Sequence, residues 1–468
     1  MQKIIIKNFA AIEYAEIEVR KILVLIGEQA SGKSTIAKLI YFFKSLRDDL
    51  FSQIYRDTNF TYLETTSDII NPTIQKFHNF FGSTSHLPNF EIVFYYSVEK
   101  NKFLKLTIDE NKKLSPKFGH LLDNDFITSV SSIKRFMHQQ LNANNIGEQL
   151  QLVYAEEKIR YAQKLYTLLD ESFESYQAHS LFIISGRNAT VSYSDLFEKY
   201  LFASIQSSLE ANIKISRNEQ TIDETLMLKF MERVGKIKDI FKILGHFSFE
   251  GIIDNYAKNE VKEKLYEIRN RINEILKGEY QIDHRGERIV FNTEEEYVYL
   301  SNASSGQQEV IRILQDIFLN ILDDVKVLRI IEEPEAHLFP IAQKQLIELL
   351  SLMVNHNEDN QLIITTHSPY ILTVFNNLLF ANRVVEKNPS VESEVAEIIP
   401  KDSWLKADDF SAYSLGNQSV SETTNYCESI FNSEKGTIQQ NYLDTVSEIL
   451  GGDFQSLYSI HARTFARR

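Results

Sequence analysis

The sequence predicts an α/β fold in which apolar strands alternate with helices. Ile22–Ile26 is a continuous apolar run, which is typical of a strand buried on both faces of a sheet. A glycine-containing loop and the helical pattern Lys33–Phe43 follow it at once. Val327–Ile331 and Gln361–Thr365 are further apolar runs, and Ala342–Val354 between them has a helical pattern. This alternation indicates a sheet with helices packed against it.

Other strands are predicted in the first quarter of the chain. Lys3–Asn8 and Glu13–Val19 are rich in isoleucine and in alternating apolar residues. Glu91–Ser97 and Phe103–Asp109 form a predicted hairpin, with the polar residues between them as its turn. Gly306–Leu322 is predicted as a further helix.

The middle of the chain is predicted to be mostly helical. One helical pattern covers residues 162–176. A second has apolar residues at alternating spacings of four and three, namely Val261, Leu265, Ile268, Ile272 and Ile275. This spacing suits a coiled-coil seam or one face of a packed helix. Core packing is favoured over a long arm, since residues 261–277 reach only roughly 25 Å as a helix.

The composition narrows the class of protein. The chain has 468 residues, a formal net charge of −14 and one cysteine, Cys427. The acidic balance argues against nucleic-acid binding over the whole surface. The net charge is compatible with a local basic groove, so DNA stays open as a partner. The basic run His461–Arg468 is either such a basic patch or a solvated tail. With one cysteine no internal disulfide can form, which fits a reducing cytoplasm. No apolar run is long enough to span a bilayer, so a soluble protein is expected.

Residues 27–34 have the pattern G-x-x-x-x-G-K-[ST], and the strand before and the helix after them supply the context of a phosphate-binding loop. Backbone N–H groups of such a loop surround phosphates at a helix N-terminus. Lys33 is expected to reach the β- and γ-phosphates of ATP, and Ser34 to ligate Mg²⁺. The predicted nucleotide-binding residues here are Gly27, Gln29, Ala30, Ser31, Gly32, Lys33, Ser34 and Thr35.

Two carboxylates end the apolar strand Val327–Ile331, as in a Walker B motif. Glu332 is predicted to hold Mg²⁺ together with Ser34, and Glu333 to polarise the attacking water, so that Glu333 and Lys33 are catalytic residues. An acidic turn is the alternative interpretation, and the phosphate-binding loop upstream favours the functional one.

His367 follows the next apolar strand, Leu362–Thr366. In open α/β sheets, ligands bind beyond the carboxyl ends of the strands. His367 is therefore predicted to contact the γ-phosphate as a third catalytic residue, although a single histidine is more often an ordinary polar residue.

Small residues precede the predicted helix Gly306–Leu322. Ser304, Ser305 and Gly306 leave backbone N–H groups exposed at its start, which makes a second anion cradle. They equally satisfy an ordinary serine N-cap. A second cradle far from the phosphate-binding loop is explained if it serves the ATP of a second copy.

The order of these motifs resembles that of ABC-type ATPase heads, as found in SMC proteins and OLD-family ATPases. Ser304–Gln307, Glu332–Glu335 and Thr366–Pro369 follow the phosphate-binding loop in the order of those families. Ile331–Pro340 is most similar to the OLD branch, from which Phe339 departs because a histidine is usual there.

A further segment, Phe182–Asn188, resembles the OLD-branch strand that ends in Pro-Ala-x-Arg. Ser185 and Gly186 replace Pro-Ala, and Arg187 matches the arginine.

The resemblance implies an ABC-type P-loop ATPase head split by a mostly helical insertion. The predicted domains are 1–47 and 287–400 for the two sequence halves of the head, with the hairpin 91–109 belonging to it, 48–286 for the insertion, and 401–468 for a C-terminal segment of unassigned role.

The resemblance also implies a function. The cofactors would be ATP and Mg²⁺, and two copies would close face to face around ATP. After Ser368 we find no apolar strand leading to a catalytic glutamate and a later Asp-x-Asp, because Asp408 and Asp409 are adjacent. The Toprim nuclease of many OLD-family proteins is therefore not expected.

A compact OLD-like ATPase without Toprim resembles the ATPase of the Septu antiphage system, also found alongside retrons, which works with a separate HNH nuclease. The alternatives are an SMC-like ATPase of DNA repair or recombination that acts on DNA directly, and a slow signalling or scaffold ATPase.

Overall fold

The structure is a computed structural model that describes residues 1–56, 67–141, 148–192, 222–243, 247–293, 295–416, 426–439 and 452–459. The strands are β1 (Gln2–Phe9), β2 (Ile12–Val19), β3 (Ile22–Gly27), β4 (Glu91–Ser97), β5 (Lys102–Ile108), β6 (Leu114–Phe118), β7 (His179–Ile183), β8 (Glu279–Asp283), β9 (Gly286–Val290), β10 (Tyr297–Tyr299), β11 (Val327–Glu332), β12 (Gln361–Thr366), β13 (Phe410–Leu415), β14 (Cys427–Ser429), β15 (Phe431–Asn432) and β16 (Thr437–Ile438). The α-helices are α1 (Lys33–Arg56), α2 (Ser67–Phe81), α3 (Asn124–Leu141), α4 (Glu148–Phe173), α5 (Ala189–Ser192), α6 (Ile222–Ile243), α7 (Phe249–Tyr256), α8 (Asn259–Leu276), α9 (Ser305–Leu322), α10 (Pro340–His356), α11 (Pro369–Lys387) and α12 (Glu392–Ile398), and residues 452–459 are also helical.

A six-stranded sheet forms the centre of the molecule, in the order β14-β13-β3-β12-β11-β7. Its neighbouring strands run parallel except for β13 and β14. The apolar runs predicted from the sequence are its inner strands, and all residues of β11 and β12 are buried. The predicted α/β fold is therefore confirmed. Because β3, β11 and β12 are parallel, their carboxyl ends meet at one edge of the sheet.

Two hydrophobic cores cover the faces of this sheet, since successive side chains of a strand point to opposite sides. Ile22 and Val24 of β3 belong to the core that contains α8 to α11. Leu23 and Leu25 belong to the other core, which contains α1 and a five-stranded antiparallel sheet in the order β2-β1-β4-β5-β6. The predicted hairpin is β4 and β5 of that second sheet.

The alternating apolar pattern in the middle of the chain belongs to α8. Leu265, Ile268, Ile272 and Ile275 are all buried in the first core, and Val261 is partly buried against it. Of the two readings that the spacing left open, the packed helix face is the one observed.

Three strands of the central sheet, β7, β13 and β14, come from segments that the sequence set apart from the head. β7 lies within residues 48–286 and pairs with β11, while β13 lies within residues 401–468 and pairs with β3. Phe410 and Ala412 of β13 pack in the first core, and Leu415 packs in the second. The domain boundaries stay a prediction, but these pairings tie both segments to the sheet that carries the phosphate-binding loop.

Two expectations concern the surface of the chain. The basic run His461–Arg468 lies outside the described residues. Among the helices that the structure describes, none is both long and apolar enough to cross a membrane.

Candidate nucleotide-binding site

The phosphate-binding loop connects β3 to α1 at the shared edge of the sheet. Gly27 ends the strand and Lys33 begins the helix. Gly32 has φ +80°, and a Cβ atom there would lie 2.9 Å from Cγ1 of Ile12. A side chain at this position would therefore be strained and crowded, which explains the second glycine of the motif.

The Lys33 ammonium lies inside the curve of this loop. Its Nζ donates to the carbonyl oxygens of Gly27 at 2.8 Å and Glu28 at 2.7 Å, and to the Ser31 hydroxyl at 3.3 Å. The side chain is only 5% exposed, and burial lowers the pKa of Lys33 to about 8, although the Glu333 carboxylate acts in the opposite direction. Phosphate oxygens would be stronger acceptors for the same donors because they are charged.

A cavity of about 310 Å³ opens beside the loop. Its lining residues are Ala10, Ala11, Gln29, Ala30, Ser31, Gly32, Lys33, Ser34, Thr35, Glu333, Thr365 and His367. It thus brings together most of the predicted phosphate-binding loop and all three predicted catalytic residues, Lys33, Glu333 and His367. Gly27 and Glu332 are not among the lining residues, and Gly27 takes part through its carbonyl bond to Lys33.

Glu332 ends β11 in a position suited to a cation. Its side chain is 6% exposed, and Oε2 accepts the backbone N–H of Ser185 at 3.3 Å. Oε1 is buried and has no hydrogen-bond partner among the described residues. A buried carboxylate oxygen without a partner is costly, and Mg²⁺ is commonly bound by one or two carboxylates together with substrate phosphates. Glu332 and the exposed Ser34 hydroxyl are therefore oxygen donors that fit Mg²⁺.

Glu333 leaves the strand in an unusual backbone conformation. Its φ is +44°, in the left-handed region, which costs a non-glycine residue about 1–2 kcal/mol. Its N–H donates to the Thr365 carbonyl at 2.8 Å. The carboxylate is 40% exposed, and its Oε1 lies 3.4 Å from Nε2 of His367. The predicted catalytic side chains of Glu333 and His367 are therefore adjacent at the cavity.

Glu335 bonds to the residues at the carboxyl end of β12. Its Oε1 accepts the Thr366 hydroxyl at 2.6 Å and the backbone N–H of His367 at 2.9 Å, while Oε2 is buried without a described partner. Glu335 does not line the cavity. Its bonds hold the turn that carries His367.

The start of α9 satisfies its own N-cap. The Ser304 hydroxyl accepts the N–H of Gln307, and the Gln307 side chain accepts the N–H of Ser304 at 3.0 Å, which is a capping box. Ser305 is exposed, and a Cβ atom on Gly306 would lie 2.6 Å from the His337 carbonyl oxygen. Gly306 is thus required by close packing against the loop after β11.

Ser304, Ser305 and Gly306 do not line the cavity of Lys33. Within one chain, the two predicted anion cradles are therefore not brought to the same cavity. Their joint use of one nucleotide stays a prediction.

Tyr426 is a contact to the phosphate-binding loop that the sequence did not reveal. Its hydroxyl donates to the Ser31 carbonyl at 2.8 Å, and its own carbonyl accepts the N–H of Gly416. The contact spans 395 residues of sequence. No local pattern marks such a residue, because it acts through a strand pairing made elsewhere in the chain.

Arg187 is the second residue whose surroundings only the structure reveals. It is fully buried between the end of β11 and the first turns of α9. Its guanidinium bonds to backbone carbonyls of the Walker B segment, and it forms an ion pair with Glu309. The resemblance of Phe182–Asn188 to an arginine-ending strand was the sequence signal that pointed to it.

Comparison with known proteins assigns the family. Residues 1–372 match the model of a family described as the AAA ATPase domain. This chain belongs to that family. The AAA ATPase domain thus covers the phosphate-binding loop, the Walker B strand and His367, and the protein is an ATPase.

Two solved structures are similar to this AAA ATPase domain protein. One is the head of an SMC protein bound to the C-winged helix domain of ScpA, with 13% sequence identity, a TM-score of 0.33, and coverage of 80% of this chain and 90% of that chain. The other is the SMC head domain from Thermotoga maritima, with 10% identity, a TM-score of 0.34 and the same coverage of each chain. Among curated proteins, none matches.

Proposed function

We propose that this protein is an ABC-type ATPase that closes as a dimer around ATP and thereby regulates a separate effector. One observation carries the proposal. Lys33, Glu333 and His367 share one cavity, while the second anion cradle at Ser304–Gly306 lies outside it.

Hydrolysis at this cavity would use the chain's own residues as follows. Glu333 accepts a proton from water as the water oxygen attacks the γ-phosphorus. The bond from the γ-phosphorus to the bridging oxygen breaks, and ADP leaves with its electron pair, so the products are ADP and inorganic phosphate. Lys33 and His367 would stabilise charge on the phosphates, and Mg²⁺ bound by Ser34 and Glu332 would neutralise further charge.

The start of α9 is most simply explained as a surface that contacts the nucleotide held by a second copy. Exposed Ser305 and the first N–H groups of α9 would face the γ-phosphate held by Lys33 of the partner. Such a contact is isologous, so one dimer contains two equivalent sites. ATP binding would close the two copies and hydrolysis would release them.

The effector part of the proposal rests on the resemblance to OLD-like ATPases without Toprim. We infer that the closed dimer controls a separate HNH nuclease in antiphage defence, with an SMC-like DNA repair ATPase as the alternative. Phage challenge of cells that carry the native locus discriminates the two. Loss of protection in Lys33→Ala supports defence, whereas unchanged protection together with sensitivity to DNA damage supports repair.

Subunit mixing tests the shared site. Lys33→Ala and Ser305→Arg subunits should each be inactive alone, but a mixed dimer contains one doubly damaged site and one intact site. Equal mixing should recover roughly a quarter of wild-type ATPase activity if the two sites act independently.

The matched control mixes Lys33→Ala with Glu333→Gln, two changes on the same side of the site. Each site of that mixed dimer is damaged, so no activity should return. Recovery in the control, or no recovery in the first mixture although mixed dimers form, would count against two independent composite sites.

A further inference from the structure

The loop after β7 places one arginine beneath the Walker B segment. The Arg187 guanidinium donates to the carbonyl oxygen of Glu332 at 2.6 Å, to that of Glu333 at 3.0 Å and to that of Ile184 at 3.0 Å. No part of the side chain is exposed. The planar fork of a guanidinium can hold two neighbouring carbonyls at once, which a lysine ammonium cannot do in the same geometry.

The same arginine is attached to α9. Glu309 is in the second turn of that helix and is 1% exposed. Its carboxylate accepts the backbone N–H of Arg187 at 3.1 Å and lies 3.2 Å from Nε, which also donates to the Glu309 carbonyl at 3.2 Å. One buried side chain therefore joins the start of α9 to the two peptide groups that flank the Cα atom of Glu333.

The backbone of Glu333 depends on such anchors. A φ of +44° is strained for a non-glycine residue, so bonds to the neighbouring peptide groups are needed to hold it. Those bonds therefore also set the direction of the Glu333 carboxylate. Its N–H is held by Thr365 and its carbonyl by Arg187. A second contact joins α9 to the segment after β11, since Gly306 of α9 packs directly against the carbonyl of His337.

We propose that Arg187 is a positioning residue that couples the start of α9 to Glu333. Movement of α9, when a second copy and its nucleotide meet Ser305, reaches the Glu333 backbone through Glu309 and Arg187 and sets the carboxylate for the attacking water. The inference rests on the proposed function, because it takes Glu333 as the group that polarises water and the start of α9 as the surface met by the partner.

The first test is Arg187→Lys, which keeps the charge but loses the planar fork. ATP affinity should stay within about twofold of wild type, while kcat falls about 30- to 100-fold, as misplacement of a reacting group by roughly 1 Å can cause. The ATP-bound dimer should outlive that of the wild-type protein. A fall in ATP affinity that matches the fall in kcat, or an unchanged kcat, would overturn the coupling.

The matched control is Arg312→Lys. Arg312 is equally buried in α9, but it pairs with Glu287 and has no contact with the Walker B segment among its described bonds. Its substitution should lower thermal stability, yet kcat per folded molecule should remain within about threefold of wild type. An equal loss of kcat in both variants would show a general effect of buried charge and reject the assignment.

A double variant separates positioning from simple structural support. If Arg187 acts through Glu333, adding Arg187→Lys to Glu333→Gln should cause no further loss of the residual rate. A further loss of the same size as in the wild-type background would contradict the inference.

A second route remains if Arg187→Lys does not fold. Glu309→Gln keeps the shape and the carbonyl contacts of Arg187 but removes the ion pair, so kcat should fall about tenfold with ATP affinity unchanged. If Glu333→Gln stops hydrolysis but Glu309→Gln has no effect, the coupling through Arg187 is rejected and the proposed function stands. If Glu333→Gln hydrolyses ATP at the wild-type rate, the proposed function itself fails.

Discussion

Buried carboxylates occur in two regions of the molecule and are treated in opposite ways. In the interior, both oxygens of Asp316 in α9 accept bonds, from Arg233 and from Arg329. Both oxygens of Glu287 accept bonds from Arg312 of the same helix. At the nucleotide edge, Glu332 and Glu335 each have one buried oxygen without a partner among the described residues.

The difference follows from the charges around each carboxylate. Burial disfavours the charged form of Asp316, but Arg329 and Arg233 hold its pKa well below the usual range. Arg312 likewise overcomes burial and lowers the pKa of Glu287 to about 2. Asp316 and Glu287 are thus fully paired within the chain, whereas Glu332 and Glu335 each keep one buried oxygen without a hydrogen-bond partner among the described residues.

The largest expected effect is on hydrolysis at the open edge. Glu333→Gln should bind ATP but hydrolyse it about 10³-fold more slowly, because general-base assistance is lost while the Mg²⁺ donors Ser34 and Glu332 remain. Single-turnover hydrolysis measures this, and size-exclusion chromatography with ATP should show a persistent dimer. Hydrolysis at the wild-type rate would move the catalytic role to another group, with Glu335 the first candidate.

A second effect concerns affinity. Lys33→Ala should weaken ATP binding by about 3 kcal/mol, roughly a hundredfold in Kd, because a charge-assisted contact to the phosphates is lost. Calorimetric titration of the folded variant measures it. An unchanged Kd would remove the assignment of the phosphate-binding loop.

Two isosteric substitutions test whether the carboxylates of the two regions contribute differently to the stability of the fold. Asp316→Asn should lower the free energy of unfolding by about 3–5 kcal/mol, since it leaves Arg329 and Arg233 without their partner charge. Glu332→Gln should change it by no more than about 1 kcal/mol, because one of its oxygens has no partner to lose. Urea unfolding measures both, and equal losses would erase the distinction between the two regions.

The pH dependence of the free energy of unfolding of Asp316→Asn gives a further check. A carboxylate whose folded pKa is lowered stabilises the protein above its unfolded pKa, and that stability is lost as the pH falls. The difference between wild type and Asp316→Asn should therefore be complete above about pH 5 and should shrink in more acidic solution.

The smallest expected effect is a pH dependence of ATP binding. Protonated Lys33 is the form that binds phosphate, so a pKa lowered to about 8 means that affinity falls as the pH rises through that value. The Kd should increase about tenfold between pH 7 and pH 9. Lys33→Arg is the matched control, because its guanidinium stays charged and its Kd should not vary over this range. A flat profile in the wild type would show that Lys33 is fully protonated throughout.

The sequence predicted those parts of the site that depend on neighbouring residues. The loop from Gly27 to Ser34, the carboxylates after β11 and the histidine after β12 each follow a continuous apolar run, so strand, turn and ligand group can be located together. The fold class follows from the same alternation. Placement of Glu333 and His367 at one cavity then requires only that β12 lie between β3 and β11 and that all three strands be parallel.

The remaining features depend on contacts between distant segments. Arg187 and Glu332 are separated by 145 residues, and Tyr426 and Ser31 by 395. β13 has serines among its apolar residues, and Ser411 donates to the carbonyl of Glu18, so its membership of the sheet becomes visible only through its partners. Sequence periodicity also could not decide whether α8 formed a seam or a packed face, because both have the same spacing.

The position of β3 between β12 and β13 has a consequence for the time course of synthesis. The phosphate-binding loop is made before both neighbouring strands, β12 and β13, and before Tyr426. At about 5–20 residues per second, the contact between Ser31 and Tyr426 waits roughly 20–80 s. During that interval the nascent chain has the loop without the sheet that shapes it. The loop therefore reaches its observed geometry only after β12, β13 and Tyr426 have been made.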